Sequence, residues 1–333
     1  MSHYFIPRMK KTLITLLLAW MALAVQAQES SSAYGVLKLP VSAHLAALGG
    51  ENISSIDDDP AVAVHNPALL SNVTDKTLGL SFMTYADQSR WMGAQFVRAF
   101  GERHTGAVFT QYMGYGEMTE RDTEGNTLGT FSPKDIVFGV GYSYLLSDHW
   151  SGGATFKVAY SSIANYSAAA LVVDLGLNYY DEETDASFSV VGRNLGAQIK
   201  SYDGRTETVP YSFQVGYSKG LDHMPWRLNL TLIDLTRWNK NHYFVADDKT
   251  MGFGRLALNH VVFGADWLAS DVLTLSAGYN FRRAYELKAA GGSHWAGFSA
   301  GASLALSKIK LNLSWSQYHK STASLMGSVA YHF

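Results

Sequence analysis

Apolar and polar residues alternate along most of this chain. From about residue 76 the sequence repeats one unit, about ten residues of alternating character followed by a turn signal. Ile136, Phe138, Val140, Tyr142 and Tyr144 alternate with Val137, Gly139, Gly141 and Ser143. Leu273, Leu275, Ala277, Tyr279 and Phe281 oppose Thr274, Ser276, Gly278 and Asn280, and Ile309, Leu311, Leu313 and Trp315 oppose Lys308, Lys310, Asn312 and Ser314. Successive side chains of a strand point to opposite faces, so each segment has one apolar face and one polar, glycine-rich face. The pattern predicts about 14 antiparallel strands, at 76–84, 90–100, 104–115, 134–146, 149–160, 167–180, 185–194, 210–219, 224–233, 257–267, 271–281, 294–305, 308–317 and 323–333. It is weakest in the second and third, where Phe96 shares a face with Arg98, and Gln111 with Phe109 and Met113.

A soluble β-sandwich also alternates. Three features favour a transmembrane β-barrel. Aromatic residues collect at segment ends (Tyr142, Tyr144, Trp150, Tyr160, Tyr179, Tyr211, Trp226, Tyr279, Phe281, Trp315), where a girdle meets the lipid headgroups. The polar face is small and uncharged rather than rich in Lys and Glu, as a crowded interior requires. Connections alternate between tight turns, near 147–148, 181–184, 221–223, 270–271 and 307, and longer ones at 116–133, 195–209, 234–256 and 282–293. Barrels of the outer membrane have short periplasmic turns and longer external loops. The last segment places Leu325, Gly327, Val329, Tyr331 and Phe333 on one face and stops at the aromatic. It resembles the terminal strand read by outer-membrane barrel assembly machinery. The expected fold is all-β: an outer-membrane barrel over 76–333.

The N-terminus carries a different signal. Arg8, Lys10 and Lys11 precede an apolar stretch from Leu13 to Ala24, and Val25-Gln26-Ala27 supplies small residues for cleavage, so 1–27 reads as a signal peptide. The apolar stretch is shorter than the roughly 20 residues that span a bilayer as a helix. Its removal leaves 23 basic against 28 acidic residues, a net charge of -5 and no basic footprint for nucleic acid. A near-zero mean hydropathy excludes a bundle of membrane helices, and a charged fraction of 16%, below the roughly 25% of soluble domains, suits a chain whose apolar and polar residues alternate finely. Cysteine is absent, which removes disulfides, thiolate metal sites and thiol nucleophiles.

Residues 28–75 do not read as a pair of spanning strands. Ser42 to Gly50 is a run of small residues and leucines that predicts a short helix ended by Gly49-Gly50. Asp57-Asp58-Asp59-Pro60 and His65-Asn66-Pro67-Ala68 follow, and both prolines favour turns. Such a segment ahead of a barrel is expected to fold into the lumen as a plug. The run Ser42 to Gly50, then Asp57-Asp58, then Asn66-Pro67-Ala68, resembles the start of the PorV/PorQ family, barrels related to the fatty-acid transporter FadL. The departures are His44, His65 and the third acid, Asp59. The overall appearance is most similar to the PorQ members. The resemblance implies a non-enzymatic part in the type IX secretion system of Bacteroidetes, with outer-membrane lipid, a PorZ-like surface protein and the PorU/PorV attachment complex as partners. It also keeps open a second function, a FadL-like channel for hydrophobic small molecules with the plug as its hatch.

Candidate chemistry is sparse. Asp57-Asp58-Asp59 lacks the alternation and trailing Glu of a calcium loop, and a turn, or a salt bridge to a lumenal Arg, is the favoured reading. The 11 His show no metal spacing and no catalytic triad is visible, so neither metal, cofactor nor catalytic residue is assigned. Gly139, Gly141, Gly152 and Gly153 lie inside strands, where they relieve crowding on the concave face. Gly49, Gly50, Asp57, Asp58, Asn66 and Pro67 are expected to be structural residues of the plug. Arg98, Lys157, Asp174 and Arg193 are expected to point into the lumen and pair with it. Arg237, Trp238, Tyr243 and Phe244, in the connection 234–256, mix aromatics with charge and form the candidate partner-binding loop.

Overall fold

The alternating segments pair edge to edge until the sheet closes on itself. The structure is a computed structural model that describes residues 34–85, 88–204, 206–240, 243, 251–286, 295–319 and 322–333. The expected signal peptide and Phe244 lie outside the described residues. The barrel strands are β1 (Thr77–Thr84), β2 (Arg90–Phe100), β3 (His104–Gly114), β6 (Lys134–Leu145), β7 (Trp150–Ile163), β8 (Tyr166–Asp181) and β9 (Ala186–Lys200). They continue with β10 (Ser212–Gly220), β11 (Trp226–Leu232), β12 (Val261–Leu268), β13 (Leu273–Asn280), β14 (Phe298–Ala305), β15 (Ile309–His319) and β16 (Thr322–His332). Each pairs antiparallel with its neighbours, and β1 meets β16 with Thr77 opposite His332. This is the fourteen-strand architecture that the alternation predicts.

Four connections differ from expectation. Residues 116–133 hold a two-stranded hairpin, β4 (Met118–Arg121) with β5 (Thr127–Phe131), whose turn is tied by Asp122 accepting from the Glu124 and Asn126 amides. It is almost wholly exposed, so no buried face imposes an alternation to read. Strand β9 runs to Lys200 instead of stopping at 194. Residues 257–258 belong to a short helix, Phe253–Leu258, and a second helix, Phe281–Glu286, follows β13.

Lipid-facing and lumenal residues separate by parity. Leu80, Phe138, Phe156, Leu230, Leu313 and Val329 are exposed on the outer wall, whereas Ser143, Thr155, Asp174, Ser189, Asn229 and Ser299 are buried inside. Toward the short-turn end, outward aromatic rings meet in pairs: Trp150 with Tyr179 at 5.1 Å, Trp226 with Trp267 at 6.1 Å, and Tyr331 with Phe333 at 4.9 Å. Arg98 corrects the expectation of a lumenal charge. It shares the parity of Phe96 and is exposed on the outer wall near the short-turn end. The weak alternation of β3 also has a cause. Phe109, Gln111 and Met113 all face inward, because the lumen there is packed with apolar side chains rather than water.

That packing comes from the segment before β1. Residues 34–73 fold inside the barrel as a turn of 3-10 helix (Gly35–Lys38), an α-helix (Ala43–Ala47) and two further 3-10 turns (Val62–Val64 and Pro67–Asn72). Tyr34, Val36, Leu37, Val41 and Leu69 join Met83, Trp91, Phe109, Met113 and Val137 of the wall in one buried cluster. The Ala43–Ala47 helix lies against β13 to β16, and Pro67–Asn72 lies against β3 and β6 to β8. Backbone meets backbone at two wall glycines. A Cβ on Gly153 would stand 2.4 Å from the Pro67 carbonyl carbon, and one on Gly278 2.3 Å from both Leu48 C and Gly49 N.

Replacing Gly278 by Val therefore forces the plug away from β13 without altering strand pairing. Overpacking of this kind costs about 1–3 kcal/mol. The variant is expected to migrate as a folded barrel on unheated gels, melt at lower temperature and expose the plug to proteinase K. Wild-type melting and protection would contradict this contact.

Candidate functional site

The motif residues of the plug each have an identifiable place. Gly49 and Gly50 end the Ala43–Ala47 helix at φ of +96° and +89°, in the left-handed region that favours glycine. The Gly49 amide donates to Ser299 Oγ at 3.1 Å and its carbonyl accepts from Asn280 Nδ2 at 3.2 Å, so the helix end is tied to β13 and β14. Asn66 is fully buried. Its Oδ1 accepts from the Ala68 amide at 3.0 Å, capping the turn that Pro67 begins, while Nδ2 donates to the Ile53 carbonyl and to Ser189 Oγ on β9. Asp58 accepts from the Thr74 amide and hydroxyl at 2.8 and 2.6 Å, stapling the plug to its own exit toward β1.

His44 is the hub of a buried charge cluster. Its Nδ1 lies 2.7 Å from Asp57 and its Nε2 2.9 Å from Asp266 on β12. Asp57 also pairs with Lys310 on β15, and Asp266 accepts from Asn229 Nδ2 and Ser276 Oγ at 3.0 and 2.6 Å. Burial pulls the His44 pKa down, but the Asp266 and Asp57 carboxylates outweigh it and raise it to about 10. Burial likewise disfavours ionised Asp57, yet Lys310 and His44 hold it far below the usual carboxylate range. Asp59 is different: burial and the Asp57 charge push it up, and it accepts from Ser42 Oγ at 2.6 Å. Within the acidic triplet Asp57 and Asp59 are thus buried rather than part of a solvated turn, and Arg is not the partner of either. The charged partners of Asp57 are a histidine and a lysine, and among the described residues no group of acids and histidines could hold a metal ion.

A second cluster pins the plug to β9. Arg193 on β9 donates to Glu51 of the plug at 2.8 Å, as expected of a lumenal charge. Lys157 and Asp174 instead pair with each other at 2.7 Å. A bulge between β8 and β9 makes room for this pair, with Asn194 at a φ of +53°. Lys157 donates to Asn194 Oδ1 at 2.6 Å, and the Asn194 amide donates to Asp174 at 2.6 Å. His65 is fully buried nearby. Burial, with Arg193 and Lys157 beside it, holds its pKa well below the usual histidine value.

At the long-loop end, above the plug, lies a cavity of about 370 Å³. The first plug turn forms its base and the external ends of β9, β10, β11 and β13 form its sides. Arg282 bridges Asp234 at 2.5 Å and Glu286 at 3.0 Å, and Arg237 lies over the Tyr211 ring at 4.7 Å. Tyr211 therefore belongs to this mouth rather than to the lipid girdle. The candidate partner loop is only partly presented outward. Arg237 is buried, donating to the Tyr211 carbonyl, and Tyr243 is buried, donating to the Arg237 carbonyl. Trp238 is exposed, stacked 4.3 Å from His260 and 6.2 Å from Phe253, and Phe253 is 73% exposed. Asp266 and Lys310 are plug anchors that sequence reasoning missed, although Asp266 is a lone charge on its lumenal face and Lys310 shares its face with Lys308, Asn312 and Ser314.

Removing the hub strands two carboxylates. For His44→Leu, breaking this buried network is expected to cost about 3–5 kcal/mol, read as a lower unfolding midpoint in detergent. The pH dependence has a definite sign. With the folded pKa raised above 6.5 to about 10, the contribution of charged His44 is complete below about pH 6.5 and drains away as pH climbs toward 10. Wild type should lose thermal stability across that window and His44→Gln should lose less. Equal slopes would remove His44 from the role of hub.

No protein-family profile and no curated protein sequence matches this chain. Solved structures do. The toluene transporter TodX of Pseudomonas putida superposes with a TM-score of 0.54 at 14% identity, over 88% of this chain and 98% of that one. The monoaromatic hydrocarbon channel CymD gives 0.56 at 13%, over 89% and 98%, and a Pseudomonas aeruginosa FadL homologue gives 0.50 at 9%, over 89% and 98%. The chain has the FadL-like fold: a fourteen-strand barrel of the outer membrane, preceded by a segment that enters its own lumen.

Proposed function

We propose that this chain is a non-enzymatic outer-membrane scaffold whose external rim holds a partner protein at the cell surface. In this reading it is a PorQ-like component of type IX secretion, as the resemblance of Ser42–Gly50, Asp57-Asp58 and Asn66-Pro67-Ala68 implies. A PorZ-like surface protein and the PorU/PorV attachment complex are the partners it implies. One observation carries the reading. The plug is bound to the wall by two groups of buried ion pairs, Asp57 with Lys310 and His44 with Asp266 in one, Arg193 with Glu51 in the other. Opening such a plug means separating these pairs in a low-dielectric interior, which is costly. A fixed filling suits a support better than a gate.

The second reading, a channel for hydrophobic small molecules, has its own support. The named transporter and channel neighbours share the fold. Against it stands the chemistry of the mouth, where charged residues such as Arg193, Asp234, Arg282 and Glu286 line the cavity above the plug. Hydrophobic ligands favour predominantly apolar linings.

The rim can be tested without disturbing the Asp234–Arg282 pair, which deletion of 234–256 would destroy. Trp238→Ser combined with Phe253→Ser removes the exposed stack and leaves Arg237 and Tyr243 in place. In pull-downs from intact membranes the double variant is expected to lose at least tenfold of a surface partner recovered with wild type, with barrel assembly unchanged. Undiminished recovery would count against the rim as the docking surface. Saturable uptake of toluene into proteoliposomes carrying the wild-type barrel, abolished by blocking the lumen, would favour the channel.

A further inference from the structure

The hairpin on the long-loop side of β3 and β6 has an open sheet edge. β4 pairs with β5, and among the described residues neither has a second neighbouring strand. Each therefore presents the unpaired amide and carbonyl groups of an edge, which another extended chain can complete. Edges are ordinarily guarded by charged residues or proline. β4 contains Glu120 and Arg121, but β5 is Thr127, Leu128, Gly129, Thr130 and Phe131, with neither charge nor proline. A register shift beside Leu128 interrupts it only at the tip, and Gly129 to Phe131 pair regularly. The β5 edge also has an apolar neighbour. The Tyr115 amide donates to the Pro133 carbonyl, which continues the β3–β6 ladder toward the hairpin. On its other side β6 pairs with β7, Lys134 opposite Ser162, so the β5 edge opens beside the β7–β8 tip. Ile163 and Tyr166 are exposed there.

We propose that β5 receives an extended, basic segment of another polypeptide as an added strand. Main-chain hydrogen bonds supply affinity in such an addition, and alternate side chains supply specificity. Charge selects the occupant. Residues 117–131 carry four acids, Glu117, Glu120, Asp122 and Glu124, against one base, Arg121, a net charge of -3. Asp122 is spent on the turn, and Arg121 donates to the Gly125 carbonyl. The side chains of Glu117, Glu120 and Glu124 have no ionic or hydrogen-bonding partner among the described residues. Glu120 stands opposite Gly129, and a Cβ on Gly129 would meet nothing within 4 Å. No side chain of β5 therefore stands between Glu120 and a lysine or arginine placed opposite Gly129 on the added strand. Leu128, 64% exposed, offers apolar contact to alternate residues of that strand, as do Ile163 and Tyr166. The same charge argues against a second copy of this chain, because like charges brought together across a strand pair repel. The inference does not rest on the secretion reading. The hairpin rises from β3 and β6, and the Trp238–Phe253 stack lies between β11 and β12, so either surface can fail without the other.

The test is fluorescence anisotropy with the full mature barrel in nanodiscs and a labelled peptide that alternates lysine with valine. One control is the same peptide N-methylated throughout, which keeps the charge and removes the backbone donors. The other carries glutamate in place of lysine. Saturable binding of the lysine peptide is expected, at least tenfold tighter than either control. Glu120→Gln and Gly129→Val are each expected to weaken it at least threefold. The valine fits open space, so barrel assembly is expected to be unchanged, as checked by gel mobility before and after heating. Because the chain has no cysteine, Thr130→Cys supplies a single thiol. It is expected to form a disulfide with a cysteine at one position of the peptide and not at the adjacent positions. No saturable binding, equal binding of the N-methylated peptide, unchanged affinity in both variants, or disulfides at every position would overturn the proposal. Barrel dimers joined through Thr130→Cys in place of peptide adducts would overturn it in favour of a second copy.

Discussion

A wall of fourteen strands is too wide for its own side chains to fill. Eight strands leave an interior that side chains just occupy, and the diameter grows roughly with strand number. This chain fills the remainder with its own residues 34–73, and much of the wall is shaped by that need. Glycines stand where plug backbone touches strand backbone, as at Gly153 and Gly278, and serines stand where the plug must be hydrogen-bonded, as at Ser189 and Ser299. One flank is greasy, joining Val36, Leu37 and Leu69 to Trp91, Phe109 and Met113. The other is ionic.

The ionic flank explains why the plug adopts one arrangement. Apolar contacts are non-directional, so the greasy flank alone tolerates sliding. His44, held between Asp57 and Asp266, does not, because a shift of one residue leaves a charge buried without its partner. The same reasoning applies to Glu51 beneath Arg193. Two clusters, one toward β12 and β15 and the other on β9, fix the plug at two separate places on the ionic flank. The charges define its position more than they add to net stability, since replacing buried ion pairs by packed apolar groups is often neutral.

Much of this was legible in the chain. Most barrel strands announced themselves by period-two alternation, because lipid on one side and a small polar lumen on the other enforce it. The helix stop at Gly49-Gly50 and the turn at Asn66-Pro67 were equally readable, since both rest on local backbone chemistry. Pairing across the lumen was not. Arg193 was expected to meet the plug and does, but Lys157 turned to Asp174 through a bulge, and bulges leave no mark in alternation. Arg98 faces outward because it shares the parity of Phe96, at the strand end where a charge can reach the headgroups. Phe109, Gln111 and Met113 blurred the third strand because a greasy plug face makes a lumenal face look like a lipid face. Tyr243 seemed a contact residue but folds under its own loop, leaving Trp238 to face outward.

These features describe a barrel whose two ends do different work. The short-turn end carries stacked aromatics at the membrane boundary, and the long-loop end carries a charged mouth with an aromatic rim. In the scaffold reading proposed above, the pinned plug between them separates the two sides of the membrane. Single-channel recording of the wild-type barrel in planar bilayers tests that separation most directly. The account predicts no sustained ionic current at moderate voltage. Stable, porin-like conductance steps from correctly inserted protein would contradict it.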